Sequence, residues 1–247
     1  MQTISPFTDA LAEMHWTKRI EVLLGMVNEI HHGRDETLRA LHDEAVSLGI
    51  DIIIVGGIAV IQYGYRRTTD DRDILVSYKN AKRFGEHLWD HPDWERLEIR
   101  EYAFVYKPTG MSVDFLVGMD LMSLGQPYCF PEPSEVEQGE RFEDIPMIGL
   151  HDLLFLKVVA GRPKDQVDVM ELVKLHLPEI EPERILSKLD SSDDERREFF
   201  LKVMRDAPKE LEGERRLGQE KTLKSPGYRP KRNTQPPAAP EDQPPQD

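Results

Sequence analysis

The sequence predicts an α/β fold of the α+β kind: a mixed, mostly antiparallel sheet flanked by helices, followed by a helical C-terminal region. Three observations lead there. Ile50 to Val55 is a short run rich in β-branched residues that stops at Gly56-Gly57, the pattern of a buried strand. Glu98–Tyr106 and Met111–Val117 flank Lys107-Pro108-Thr109-Gly110, turn chemistry that predicts an antiparallel hairpin. Apolar residues also recur at helical spacing, as in Leu38, Leu41, Ala45 and Leu48, or Leu153, Leu156 and Ala160.

Taken in order, about Phe7 to Leu48 reads as two helices broken near Gly33, with Gly49 as a stop. After the first strand, Ile58–Gly64 suits a short helix and Arg72–Val76 a second strand. Ala81, Phe84 and Leu88 predict a helix over Asn80–Trp89, and the hairpin follows. Residues from about 120 to 146 carry several prolines and little periodicity, and are expected to loop over the sheet. Helices are expected from Leu150, over Lys164–Leu175, and over 182–189 and 193–204. Eight of the 18 prolines lie between Pro208 and Asp247, where large apolar residues nearly vanish, so most of that tail is expected to be disordered. The organisation is therefore 1–49 N-terminal helices, 50–146 catalytic core, 147–207 helical region and 208–247 Pro-rich tail.

A net charge of −14 over 247 residues argues against a general nucleic-acid coat, which needs a basic footprint. Cys129 is the single cysteine, so no intramolecular disulfide or cysteine-cluster zinc site can form, and a cytoplasmic setting is expected. No apolar run approaches the roughly 20 residues of a membrane helix, and the first residues do not read as a secretory leader.

The chemistry concentrates in Thr69-Asp70-Asp71-Arg72-Asp73-Ile74-Leu75-Val76. Along a strand Asp71 and Asp73 share one face while Arg72 takes the other. Mg²⁺ prefers hard oxygen donors, typically one or two carboxylates plus substrate phosphates. A two-metal site wants a third acid, and Asp114 is the one acid in the apolar strand Met111–Val117. Val113 and Phe115 are expected to face the core, leaving Asp114 on the side of Asp71 and Asp73. Gly56-Gly57, between strand and helix, exposes backbone N–H groups suited to phosphate, or simply makes a tight turn. The Thr69 hydroxyl can bind phosphate or brace the turn. Arg66 and Arg67 can steady phosphate or pair with Asp70.

These residues resemble the signature of the polymerase-β-like minimal nucleotidyltransferases: Gly56-Gly57-x-Ala59 through Gly64, Arg67, Thr69, Asp71 and Asp73. The segment Leu153-x-x-Leu156-Lys157-x-x-Ala160-Gly161-Arg162-Pro163-Lys164-Asp165-x-x-Asp168 is similar to a second block of the AbiEii-type group, which includes nucleotidyltransferase toxins of toxin–antitoxin systems. The resemblance spans roughly residues 50 to 175. It implies the nucleotidyltransferase fold and an Mg²⁺-dependent enzyme, tolerant of Mn²⁺, that moves NMP from an NTP such as ATP to a hydroxyl. The acceptor would be an RNA 3′ end (tRNA among them), a protein or a small molecule, and a cognate antitoxin would be a partner. It further implies that Gly56, Gly57, Arg67 and Thr69 contact triphosphate, that Asp71, Asp73 and Asp114 bind metal, and that Asp114 is the candidate base. Lys157 would reach a phosphate, and Asp165 or Asp168 would close the site. Lys157 also reads as a snorkelling surface lysine, and Arg162, Lys164, Asp165 and Asp168 as an ordinary ion-pair network.

Arg72 departs from the family, where many relatives carry an apolar residue. It is expected to lean on Glu98 or Glu101, or else to mark a silent nucleotidyltransferase fold that acts as a binding partner. His31-His32 diverge on a helix and read as surface residues. His87 and His91 are an i,i+4 pair with no evident third ligand, so zinc is not expected there. Lys221 to Arg232 holds five basic residues and no acids, and reads as a solvated segment.

Overall fold

The computed structural model describes residues 35–98, 100–123 and 127–223. The helix expected from Phe7 to Gly33, His31-His32 and the tail beyond Leu223 lie outside them. The chain divides into two units at Pro208/Lys209, and the sheet and the site described below belong to the first.

Helix α1 (Glu36–Ser47) starts at Asp35, whose carboxylate accepts the Leu38 N–H at 3.0 Å. It stops before Gly49, whose φ of +63° suits glycine. There follow β1 (Ile52–Ile54), α2 (Gly56–Gln62), β2 (Asp71–Val76), α3 (Tyr78–Asp90), β3 (Trp94–Arg96), β4 (Ala103–Tyr106) and β5 (Met111–Val117). Then come β6 (Gln138–Phe142), β7 (Ile145–Ile148), α4 (Leu150–Ala160), α5 (Pro163–His176), α6 (Pro182–Leu186) and α7 (Asp194–Leu223). Gly161 at φ +63° ends α4, and Pro163 opens α5 at a position where no N–H is needed.

The strands form a seven-stranded sheet in the order β3-β4-β5-β2-β1-β7-β6. β1·β7 and β2·β5 are parallel and the other neighbours antiparallel, so the sheet is mixed and mostly antiparallel, as expected. On one face the Phe115 ring stacks on Phe84 of α3 at 4.9 Å and meets Phe104 of β4 at 5.4 Å. These large buried side chains fasten α3 to the sheet, and truncating such a ring to alanine costs about 3–5 kcal/mol. The other face carries α4 and the cleft.

Three expectations need correction. The segment from 120 to 146 is not all loop, because β6 begins a hairpin at Gln138 and β7 runs to Ile148, pairing in parallel with β1. Its strands escape a periodicity reading because β6 is an exposed edge strand with only Phe142 buried. Trp94–Arg96 forms β3, while the strand expected from Glu98 begins only at Ala103. The tail expected to be disordered from Pro208 is helical as far as Leu223. Seven of its eight prolines lie at or beyond Pro226, whereas 209–223 is rich in helix-forming Glu, Lys, Arg and Leu.

Candidate active site

The parallel pairing of β2 with β5 sets Asp73 directly beside Asp114, with Asp71 beside Ser112 one pleat away. Strand alternation brings all three carboxylates to one face, and one oxygen from each lies within 4.8 Å of the others. Val113 and Phe115 take the opposite, buried face, as expected. Three acids this close resist ionising together. The Asp73 carboxyl is pushed up to about 6, by burial first and then by Asp71 and Asp114. Burial also raises Asp114, with Arg100 opposing and Asp71 adding to the shift. This donor set is hard, oxygen-only and over-charged, which is what a divalent cation of the Mg²⁺ or Mn²⁺ kind fits.

The glycines are required by space. A Cβ on Gly56, which sits at φ +60°, would lie 1.8 Å from Asp73 Oδ2, and one on Gly57 would lie 2.3 Å from Thr69 Oγ1. Backbone therefore passes directly against the acids. The Thr69 hydroxyl donates to Asp71 Oδ1 at 3.0 Å and so orients that carboxylate.

These groups open into a cleft of about 470 Å³. Its floor is Gly56, Gly57, Asp71, Asp73 and Asp114; its apolar wall includes Leu116, Phe130, Leu153 and Leu156; and Arg67, Arg100, Lys157, Arg162 and Lys164 supply positive charge. Lys157 is neither a surface snorkeller nor free. It is 5% exposed, and its Nζ meets Asp165 at 2.9 Å and Asp168 at 2.8 Å. Arg162 Nε reaches the other oxygen of Asp165 at 2.5 Å, and Arg67 holds Asp168 at 2.9 and 3.1 Å. For Asp165 burial works to raise the pKa, but the bonds and charges of Arg162 and Lys157 overcome it and hold the carboxyl below the usual range. The ion-pair network thus shares Arg67, Lys157, Arg162 and Asp165 with the cleft lining, while Asp168 lies behind it. Arg67 pairs with Asp168 instead of Asp70, and Lys164 is exposed at the start of α5.

Arg72 does not lean on Glu98 or Glu101. It is 3% exposed beneath the sheet and donates to Asp35 Oδ2 through Nε at 3.0 Å and Nη2 at 2.7 Å. Its charge is satisfied on the face away from the acids, so it does not disturb the triad. Sequence reading missed Arg100, which forms an ion pair with Asp114. The hairpin register was the available signal: the Lys107–Gly110 turn sets Ala103 opposite Asp114, and Arg100 lies just before Ala103.

His87 and His91 do acquire a third neighbour, Glu44 of α1, at 2.6 and 3.4 Å from their Nε2 atoms. Yet His91 Nδ1 accepts the Asp93 N–H at 3.2 Å. Its ring proton is therefore on Nε2, facing Glu44, the nitrogen that a metal would need. The trio joins α1 to α3 by hydrogen bonds.

No family model matches the sequence, and no curated protein matches it. Among solved structures, the fold is similar to an antigenic nucleotidyltransferase-like protein from Paracoccidioides brasiliensis, with TM-score 0.53 and 16% identity over 74% of this chain and 90% of that one. The antibiotic-resistance factor ANT(2'')-Ia also aligns, with TM-score 0.41 and 14% identity over 79% of this chain and 99% of that one. Its complex with adenylyl-2''-tobramycin gives TM-score 0.35 and 11% identity over 75% and 96% of the two chains. No helix among the described residues is long and apolar enough to cross a membrane. The sheet order, the strand-borne acids and the first of these structures together identify the fold as nucleotidyltransferase-like.

Proposed function

We propose that the protein is a divalent-metal-dependent nucleotidyltransferase that moves NMP from an NTP to a hydroxyl acceptor. The observation that carries this reading is the convergence of Asp71, Asp73 and Asp114 at the floor of a cleft edged by backbone at Gly56 and Gly57. Those three acids would hold Mg²⁺, which when bound neutralises triphosphate charge and lowers the pKa of an attacking oxygen.

The chain's own residues supply the remainder. Gly56 and Gly57 let the triphosphate approach the strand ends without side-chain interference. Thr69 keeps the Asp71 carboxylate aimed. Lys157, Arg67 and Arg162 together outnumber Asp165 and Asp168, so the network that they form gives the cleft a stationary positive charge. Asp114, with its raised pKa, takes the acceptor's proton as that oxygen attacks the α-phosphorus. The bond from the α-phosphorus to the β-bridging oxygen breaks, and pyrophosphate leaves.

The similarity of Lys157–Asp168 to the AbiEii-type block supports a finer reading, a toxin held in check by a cognate antitoxin, with an RNA 3′ end such as that of tRNA as acceptor. Protein and small-molecule hydroxyls are the other acceptor classes. The alternative of a silent fold leaned on Arg72 and on the strongly acidic composition; the Arg72–Asp35 pair speaks against the first of these. Incubation with α-³²P-labelled NTPs and total RNA, lysate protein or small hydroxyl compounds tests the proposal. Label should enter one class only and need Asp71; no transfer to any class refutes it.

A further inference from the structure

The cations of the cleft are held in different ways. Lys157 and Arg67 are clamped by the buried acids Asp165 and Asp168 of α5. Arg100 is not clamped. Its side chain is 66% exposed, and its only side-chain partner among the described residues is Asp114, which is 12% exposed. The antiparallel pairing of Ala103 with Asp114 brings the turn before β4 over the third acid, so the guanidinium reaches it from solvent. Asp71 is oriented by a neutral hydroxyl, whereas Asp114 carries a full counter-charge from the protein.

We propose that Arg100 is a resident counter-ion that competes with the divalent cation for Asp114, so that loading the cation and releasing Arg100 into the cleft are one event. This rests on the metal-dependent reading above. A carboxylate oxygen engaged by a guanidinium N–H has less to offer a cation, and two positive groups at one carboxylate repel each other. The exclusion is reciprocal: the arginine pair weakens cation binding by the same factor by which the bound cation weakens the pair. Once freed, Arg100 projects into the anion-binding part of the cleft, where its planar fork suits phosphate.

Mn²⁺ titration followed by the EPR signal of free Mn²⁺ tests this on the full chain. Arg100→Gln is expected to tighten binding about two- to fivefold, the scale of one exposed ion pair. Arg162→Gln is the control, because Arg162 is 60% exposed in the same cleft but pairs with Asp165. It should have the smaller effect, and Arg100→Gln should have none in an Asp114→Asn background. Equal tightening by both variants would show a general charge effect and overturn the proposal. So would unchanged or weaker binding by Arg100→Gln. Wild-type protein that binds no Mn²⁺ overturns the metal-dependent reading itself, and that baseline separates the two failures.

Discussion

Arg72 and Asp35 form a buried ion pair beneath the strand that carries the acids, with N–O distances of 3.0 and 2.7 Å. The same Asp35 carboxylate caps α1 through the Leu38 N–H. Arg72 stands between Asp71 and Asp73, so a single residue ties the entry of α1 to the start of β2. Breaking such a pair from one side strands a buried charge. Arg72→Met should therefore cost about 3–5 kcal/mol in urea denaturation. Asp35→Ser, which keeps a capping oxygen, should recover much of that loss in the double variant. Additive losses would show that the two residues are not coupled.

Two glycines at positive φ should behave differently. Gly49→Ala meets no atom within 4 Å, so its cost is the left-handed backbone alone, about 1–2 kcal/mol, with activity retained. Gly56→Ala drives its Cβ into Asp73 and should abolish Mn²⁺ binding and transfer. Thermal melts and Mn²⁺ titration of both variants check the contrast.

Asp73 sets a pH dependence for the metal-free protein. Its carboxyl is raised from 3.8 to about 6, so between these values the folded protein keeps a proton that the unfolded chain has released. Stability should thus fall as pH rises through that window, by up to about 3 kcal/mol, and stay lower above it. Asp73→Asn should shrink the fall, leaving the part due to Asp114, whose carboxyl is also raised, and should raise the Tm at neutral pH while losing Mn²⁺ binding. Melts in chelator from pH 4 to 8 measure it. Asp165 acts with the opposite sign, adding stability that is lost as pH drops below the ordinary aspartate range.

Lys157 neutralises two acids that are 0 and 1% exposed. Lys157→Met should cost about 3–5 kcal/mol, whereas the exposed Lys164→Gln should stay within about 0.5 kcal/mol. If Lys157→Met melts like wild type, the network is not holding α4 to α5.

Much of the floor of the site was legible because strand alternation is local. Asp71, Asp73 and Asp114 follow from period two, and Gly56-Gly57 from the end of a β-branched run. The partner choices were not legible. Arg72 finds Asp35, 37 residues away, and Lys157 finds both Asp165 and Asp168, pairings set by how helices dock on the sheet. The β6–β7 hairpin was missed because an exposed edge strand carries no alternating apolar signal. Arg100 required the hairpin register, which the turn at Lys107–Gly110 implied, to be followed across to Asp114.

The central claim is that this cleft transfers a nucleotidyl group, and label position tests it most directly. Wild-type protein with Mg²⁺, a responsive acceptor and ATP labelled in turn at the α- and γ-phosphates should place α-label on the acceptor and γ-label in pyrophosphate, one for one. Asp71→Ala should do neither while melting as a folded protein. Transfer of γ-label to the acceptor, release of free phosphate in its place, or transfer that survives Asp71→Ala would contradict it.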